Sequence, residues 1–96
     1  MKLTYDVLLV EDDAMAADSI ATIIELWDGL VQFRVDIARS IADCLEKLKG
    51  NKYHVILLDL NLRNGRGEDT FRRVHASANT EEVRTPIVVL TGDGRT

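Results

Sequence analysis

Four short apolar segments alternate with amphipathic segments along this chain of 96 residues, and this alternation restricts the possible folds more than any other feature. Short apolar runs bounded by polar residues favour strands that are buried on both faces of a parallel sheet. The predicted strands are residues 5–10 (YDVLLV), 32–38 (QFRVDIA), 54–58 (HVILL) and 87–90 (IVVL). The second run alternates polar and apolar residues, which indicates a strand at a sheet edge.

Helical patterns fill the intervals between these strands. The first is predicted from residue 14 to about residue 27, the second from the cap Ser40 to Gly50, and the third from residue 68 to residue 78. The residues expected to face the core are Ala16, Ala17, Ile20, Ile23, Ile24 and Trp27, then Ile41, Cys44, Leu45 and Leu48, then Phe71, Val74, His75 and Ala78. The alternation predicts one α/β domain over residues 1–96, a doubly wound parallel sheet with right-handed crossovers and helices on both faces.

Charge and cysteine content exclude several classes of function. The chain has 16 acidic and 12 basic side chains and a net charge of -4, so this segment is not expected to bind nucleic acid. A lone cysteine, Cys44, cannot form an internal disulfide and suits a reducing compartment. The first residues contain neither a signal peptide nor a membrane span. We therefore expect a cytoplasmic protein without membrane contact.

Acidic residues follow two of the predicted strands, at the edge where folds of this kind bind ligands. Glu11 and Asp12 follow the first strand, and Asp59 follows the third. Gathered carboxylates repel one another unless protons or a cation compensate them, and an all-oxygen ligand set suits Mg²⁺. Asp59 is the candidate nucleophile of a phosphoryl-transfer reaction, because aspartate can form a phosphorylated intermediate. Thr91 could donate its hydroxyl to the phosphoryl group. Asp13 is predicted to cap the first helix.

Three segments resemble the motifs of response-regulator receiver domains from two-component signalling, namely LLVEDD at 8–13, LLDLNLRNGRG at 57–67 and TPIVVLTG at 85–92. The resemblance extends over essentially the whole chain and implies the flavodoxin-like receiver fold. It implies that Asp59 accepts a phosphoryl group from a phosphohistidine of a sensor histidine kinase or phosphotransfer protein, and that the domain catalyses its own phosphotransfer and dephosphorylation. The implied Mg²⁺ ligands are Asp12 and Asp59 directly, Glu11 through water and Asn61 through its carbonyl, while Thr91 and Gly92 are the implied switch and phosphoryl-binding residues.

The chain departs from this family pattern in two respects. Arg63 stands where the family usually has a proline, which is expected to alter loop stiffness more than chemistry. The family also continues with a helix, a strand that begins with a lysine, and a second helix; no residue here can be assigned the role of that lysine. We therefore expect a receiver domain that is incomplete at its C-terminus. Segment 87–90 would then form an exposed apolar edge, which predicts a homodimer or segment exchange.

Three other interpretations were compared with this one. Residues 59–70 begin like a calcium loop, but Arg63, Asn64 and Thr70 occupy positions that need an oxygen ligand, a glycine and a glutamate. A phosphatase of the haloacid-dehalogenase type also has an aspartyl nucleophile after an apolar strand, but those enzymes resemble the pattern Asp-x-Asp, whereas this chain has Asn61 two residues after Asp59. A receiver that acts only as an interaction module, without phosphorylation, stays open as the alternative. The sequence indicates neither the cognate kinase nor the output.

Overall fold

The computed structural model describes residues 2–60 and 67–90, and strands and helices alternate within them. In chain order the elements are β1 (Leu3–Val10), α1 (Ala14–Glu25), β2 (Val31–Ala38), α2 (Ile41–Gly50), β3 (Val55–Asp59), α3 (Gly67–Ala78) and β4 (Ile87–Leu90). The four strands pair in parallel in the order β2-β1-β3-β4. The predicted α/β fold is therefore confirmed, with β2 at an edge and the direction of winding reversing between β1 and β3.

Helices α2 and α3 cover one face of the sheet, where the main apolar core lies. The buried core residues on this face are Leu8, Val10, Ala38, Ile41, Cys44, Ile56, Leu58, Val74 and Ala78. Burial raises the pKa of the Cys44 thiol to about 11, because the thiolate would lose its hydration. Cys44 is thus a small core side chain rather than a reactive thiol.

Helix α1 contacts β1 and β2. Val7 and Leu9 of β1 are buried, and they face away from the α2 and α3 core because successive strand residues point to opposite sides. The buried residues of α1 are the small Ala17 and Ala21. Helices therefore lie on both faces of the sheet, as the alternation of elements predicts.

The end of α1 differs from the sequence prediction. The helix ends at Glu25, with Leu26 as its C-terminal cap, so Trp27 is outside it. The side chain of Trp27 is 61% exposed and that of Ile23 is 70% exposed, so the expected burial of both residues was wrong. Each residue turns an α-helix by about 100°, so two residues turn it by about 200°. Ile23 therefore lies on nearly the opposite side of α1 from the buried Ala21.

Helix α3 also corrects two expected core positions. Its buried residues are Thr70, Val74 and Ala78, which follow one another at intervals of four and form one row. Phe71 and His75 form the adjacent row and are exposed, with their rings stacked at a centroid separation of 5.6 Å. Val74 and Ala78 are core residues as predicted, whereas Phe71 and His75 are not.

Five charged and polar side chains away from the carboxyl edge of the sheet form hydrogen bonds. Arg34 Nε donates to Asp6 Oδ1 at 2.7 Å, and this hydrogen bond holds the pKa of Asp6 below its usual value of 3.8. His54 Nδ1 accepts a hydrogen bond from the backbone N–H of Asp6 at 2.8 Å. Tyr53 donates its hydroxyl to Asp36 Oδ2 at 2.6 Å. We call these five residues the paired network, and they serve the structure of the sheet.

Candidate functional site

Two neighbouring strands end side by side and bring acidic residues to one edge of the sheet. Val10 at the end of β1 is in register with Leu58 of β3, so the following residues, Glu11 and Asp59, lie level with each other. The backbone N–H of Glu11 donates to the carbonyl of Ala38 at 2.9 Å, which continues the pairing of β1 with β2 beyond the strand. The sheet itself therefore fixes the backbone that positions Glu11 and Asp59.

Three carboxylates meet at this edge. Glu11, Asp12 and Asp59 each contribute one oxygen atom to a cluster in which these atoms lie within 4.8 Å of one another. Glu11 and Asp59 are each only 8% exposed, whereas Asp12 is partly exposed. We call these three residues the acidic cluster. The structure brings together the three acidic side chains that the sequence places at the ends of β1 and β3.

The crowding of negative groups perturbs the protonation of Glu11. Burial, followed by the hydrogen bond to Asp59 and the charge of Asp59, raises the pKa of Glu11 from 4.5 to about 7. A buried carboxylate beside another one is costly to ionise, because neither solvent nor a counter-charge stabilises it. The pKa of Glu11 therefore lies near neutral pH when no cation is bound.

The loop between β1 and α1 is fixed on both sides of Asp12. Asp13 caps α1 as predicted, since its Oδ2 accepts the backbone N–H of Ala16 at 2.8 Å. Arg39, which follows β2, donates from Nη2 to the carbonyl oxygen of Asp12 at 3.0 Å. Arg39 is not among the site residues predicted from the sequence. Its only sequence signal is its position directly after a strand, at the same edge as the acidic residues.

The other predicted site residues lie outside the described residues. Asn61 belongs to segment 61–66, and Thr91 and Gly92 belong to segment 91–96. Arg63, noted above as a departure from the family pattern, lies in the first of these segments. Their assigned roles stay predictions from the sequence.

The acidic cluster fits a hard divalent cation. All three donors are carboxylate oxygens, and two of the three side chains are almost completely buried. The raised pKa of Glu11 indicates that added positive charge would stabilise this group. Mg²⁺ prefers oxygen ligands and retains several water molecules, so a cluster with one partly exposed ligand suits it.

The strand order and the acidic cluster define a doubly wound α/β protein with its site at the carboxyl ends of β1 and β3. Comparison with known families gives the assignment directly. Residues 7–96 match the response regulator receiver domain, and the chain belongs to that family. It is therefore a receiver domain of two-component signalling, as the three sequence motifs indicate.

Individual relatives agree with the family assignment. The response regulator ArlR of Staphylococcus haemolyticus is 33% identical over 91 residues, which cover 95% of this chain and 37% of that protein. The cell cycle response regulator CtrA of Brucella ovis is 36% identical over 86 residues, covering 90% of this chain and 34% of that protein. A CheY-like receiver domain from Methylobacillus flagellatus has a TM-score of 0.78 at 25% identity, covering 93% of this chain and 70% of that chain.

The curated relatives are longer than this chain. The chain spans about a third of the length of the curated relatives, at 37% of ArlR and 34% of CtrA. Within residues 2–60 and 67–90, the helices are all too short or too polar to cross a bilayer.

Proposed function

We propose that this receiver domain accepts a phosphoryl group on Asp59 from a phosphohistidine donor in a Mg²⁺-dependent reaction. The observation that carries the proposal is the convergence of Glu11, Asp12 and Asp59, whose oxygen atoms lie within 4.8 Å. Asp59 ends the inner strand β3 and is almost buried, which suits an acceptor screened from bulk water. The donor is a sensor histidine kinase or a phosphotransfer protein.

The residues of the acidic cluster have different roles in this proposal. A carboxylate oxygen of Asp59 attacks the phosphorus atom while the phosphorus–nitrogen bond of the donor breaks, and the departing imidazole takes up a proton. Glu11, Asp12, Asp59 and the carbonyl of Asn61 would hold Mg²⁺, which neutralises charge on the phosphoryl oxygens when it is bound. Glu11 is hydrogen-bonded to Asp59, so the two carboxyl groups lie close enough to share one cation.

Phosphorylation would then change a partner surface. A phosphoryl group adds negative charge and acceptor oxygens at the ends of the strands, which can shift an equilibrium between two conformations. Thr91 and Gly92 follow β4 directly and are the proposed switch and phosphoryl-binding residues. We place this reaction in the cytoplasm, where the buried thiol of Cys44 would remain reduced.

A second proposal concerns self-association. Within the described residues β4 pairs with β3 along one side, and Val88 and Val89 are 48% and 40% exposed. An apolar strand with an unpaired edge recruits a second copy through backbone hydrogen bonds. Light scattering of the 96-residue chain should show a mass that rises with protein concentration. A constant monomer mass across the series would contradict this proposal.

Intact-mass spectrometry tests the phosphoryl acceptor. The wild-type chain is incubated with phosphoramidate, whose phosphorus–nitrogen bond resembles that of phosphohistidine, in Mg²⁺ and again in EDTA. We expect a mass gain of about 80 Da, the mass of one phosphoryl group, only with Mg²⁺. Asp59→Asn should abolish the gain, whereas Asp18→Asn, at an exposed position of α1, should leave it unchanged.

Two results would count against the assignment. Labelling of Asp59→Asn at the wild-type level would place the acceptor elsewhere. A chain that binds Mg²⁺ but gains no mass, while folding normally, would favour the alternative in which the domain acts only through protein contacts.

A further inference from the structure

A basic side chain lies beside the acidic cluster without belonging to it. Arg39 directly follows β2, and its Nη2 donates to the backbone carbonyl of Asp12 at 3.0 Å. The two residues are 27 positions apart in the sequence, so the bond joins the β1–α1 loop to the β2–α2 loop. A guanidinium presents several N–H donors and can therefore hold a backbone carbonyl of a neighbouring loop.

The backbone of Arg39 is fixed by the start of α2. The backbone N–H of Arg39 donates to Asp43 Oδ2 at 3.3 Å. The backbone N–H of Asp43 in turn donates to the hydroxyl of Ser40 at 3.0 Å. These capping interactions order the first turn of a helix. The guanidinium of Arg39 therefore extends from an ordered backbone, and its bond to Asp12 connects the acidic loop to the cap of α2.

Arg39 contacts the acidic loop between two residues that other interactions hold, and the backbone N–H of Asp13 in this loop also donates to Glu11 Oε2 at 3.5 Å. Glu11 is held through its backbone N–H by Ala38, and Asp13 is held by its role as the cap of α1. The peptide of Asp12 lies between Glu11 and Asp13. The side chain of Asp12 is the partly exposed member of the acidic cluster. Holding this peptide restricts the directions in which the Asp12 carboxylate can point.

We propose that Arg39 is a positioning residue for the cation site. It holds the peptide of Asp12 and so keeps the carboxylate of Asp12 close to those of Glu11 and Asp59. This inference rests on the proposed Mg²⁺ site. Groups that orient metal ligands without touching the metal commonly change its affinity about 10-fold to 100-fold.

The direction in which Mg²⁺ affinity changes when Arg39 is removed distinguishes a positioning role from a purely electrostatic one. A positive charge beside the cluster repels Mg²⁺, so loss of that charge alone would strengthen binding. Arg39 is solvent-exposed, and solvent and salt screen its charge. The loss of positioning is therefore the larger effect, and removal of the side chain weakens Mg²⁺ binding.

Calorimetric titration of the full chain with MgCl₂ tests the proposal. Arg39→Ala should raise the Mg²⁺ dissociation constant about 10-fold, and Arg39→Lys, which keeps the charge and one donor group, should fall between it and wild type. Arg34→Ala is the matched control, because Arg34 is an exposed arginine of β2 in the paired network. This control should bind Mg²⁺ like wild type.

A measurement without metal keeps the test independent of Mg²⁺ chemistry. In EDTA, Arg39→Ala should speed hydrogen exchange at the amide of Asp13 and leave that of Ala17, inside α1, unchanged. Unchanged or tighter Mg²⁺ binding by Arg39→Ala overturns the positioning role, as does an equal loss in Arg34→Ala. A wild-type chain that binds no Mg²⁺ overturns the proposed function, whatever the exchange data show.

Discussion

Two carboxylates, one within strand β1 and one directly after it, are held in opposite ways. Asp6 is hydrogen-bonded to Arg34 at 2.7 Å, and this contact lowers the pKa of Asp6. Glu11, five residues later at the carboxyl end, lies beside Asp59 in a largely buried position, and its pKa is raised to about 7. The fold thus stabilises the charged form of Asp6 within β1 and destabilises that of Glu11, the residue after β1.

This difference distinguishes acids that an arginine pairs from acids whose charge only a ligand would compensate. An ionised carboxylate at a partly exposed position costs little when an arginine pairs with it. Two buried carboxylates next to each other destabilise the fold unless a ligand compensates their charge. The acidic cluster is therefore the part of the molecule that ligand binding would stabilise, whereas the paired network is stable without a ligand.

The largest expected effect comes from removing one negative charge from the acidic cluster and, in a separate variant, one from the paired network. Asp12→Asn should weaken Mg²⁺ binding by at least about 100-fold, because a ligand contributes more than the residues that orient it. Asp6→Asn removes the same charge in the paired network and should bind Mg²⁺ like wild type. Calorimetric titration measures both variants. Equal losses in the two would show that net charge rather than the cluster attracts the cation.

The raised pKa of Glu11 predicts a pH-dependent stability. The folded chain holds a proton on Glu11 up to about pH 7, while an unfolded chain releases it near pH 4.5. Between these values the folded state binds more protons, so the free energy of unfolding decreases as pH rises. The decrease corresponds to at most about 3 kcal/mol.

Urea unfolding in EDTA between pH 5 and pH 8 measures this decrease. Glu11→Gln should flatten the profile, whereas Glu46→Gln, at an exposed position of α2, should not. Mg²⁺ should restore stability at pH 8, because the cation replaces the proton. A Glu11→Gln profile as steep as that of wild type would show that another group titrates.

Thr70 provides a test of a buried polar group without charge. Its hydroxyl is buried in α3 and has no hydrogen-bond partner within the described part of the chain. An unpaired buried hydroxyl costs about 1 kcal/mol or more, so Thr70→Val should raise the free energy of unfolding by about 1 kcal/mol. Thermal unfolding measures the change, with Thr22→Val at an exposed position of α1 as control. A loss of stability in Thr70→Val would indicate that the hydroxyl is bonded.

The sequence predicted the order of strands and helices because each buried strand is a short apolar run that ends at a polar residue. It also predicted that Glu11, Asp12 and Asp59 meet, since parallel strands place their carboxyl ends at one edge. Both results depend on local patterns combined with a general rule of topology.

Tertiary contacts explain what the sequence did not reveal. Trp27 continues the apolar spacing of α1, but the helix ends before it, and periodicity alone does not locate that end. Phe71 lies on a row next to the buried row of α3, a distinction that depends on how the helix packs on the sheet. The bond between Arg39 and Asp12 joins two loops, and no local pattern in the sequence encodes it.

Arg34→Ala alters the paired network and should have the smallest effect on stability, because the Arg34 side chain is 71% exposed. Its partner Asp6 has a pKa below 3.8 when folded, so the pair stabilises the fold above that pH and ceases to do so as pH falls through the lowered pKa. Urea unfolding should therefore show a slight loss of stability for the variant at pH 7, and this loss should shrink as pH falls below 3.8. This dependence has the opposite sign to that of Glu11, whose ionisation destabilises the fold as pH rises. The free energy of unfolding lost in Arg34→Ala should be smaller than that gained in Thr70→Val. The reverse order would mean that the paired network, rather than the core, limits the stability of the fold.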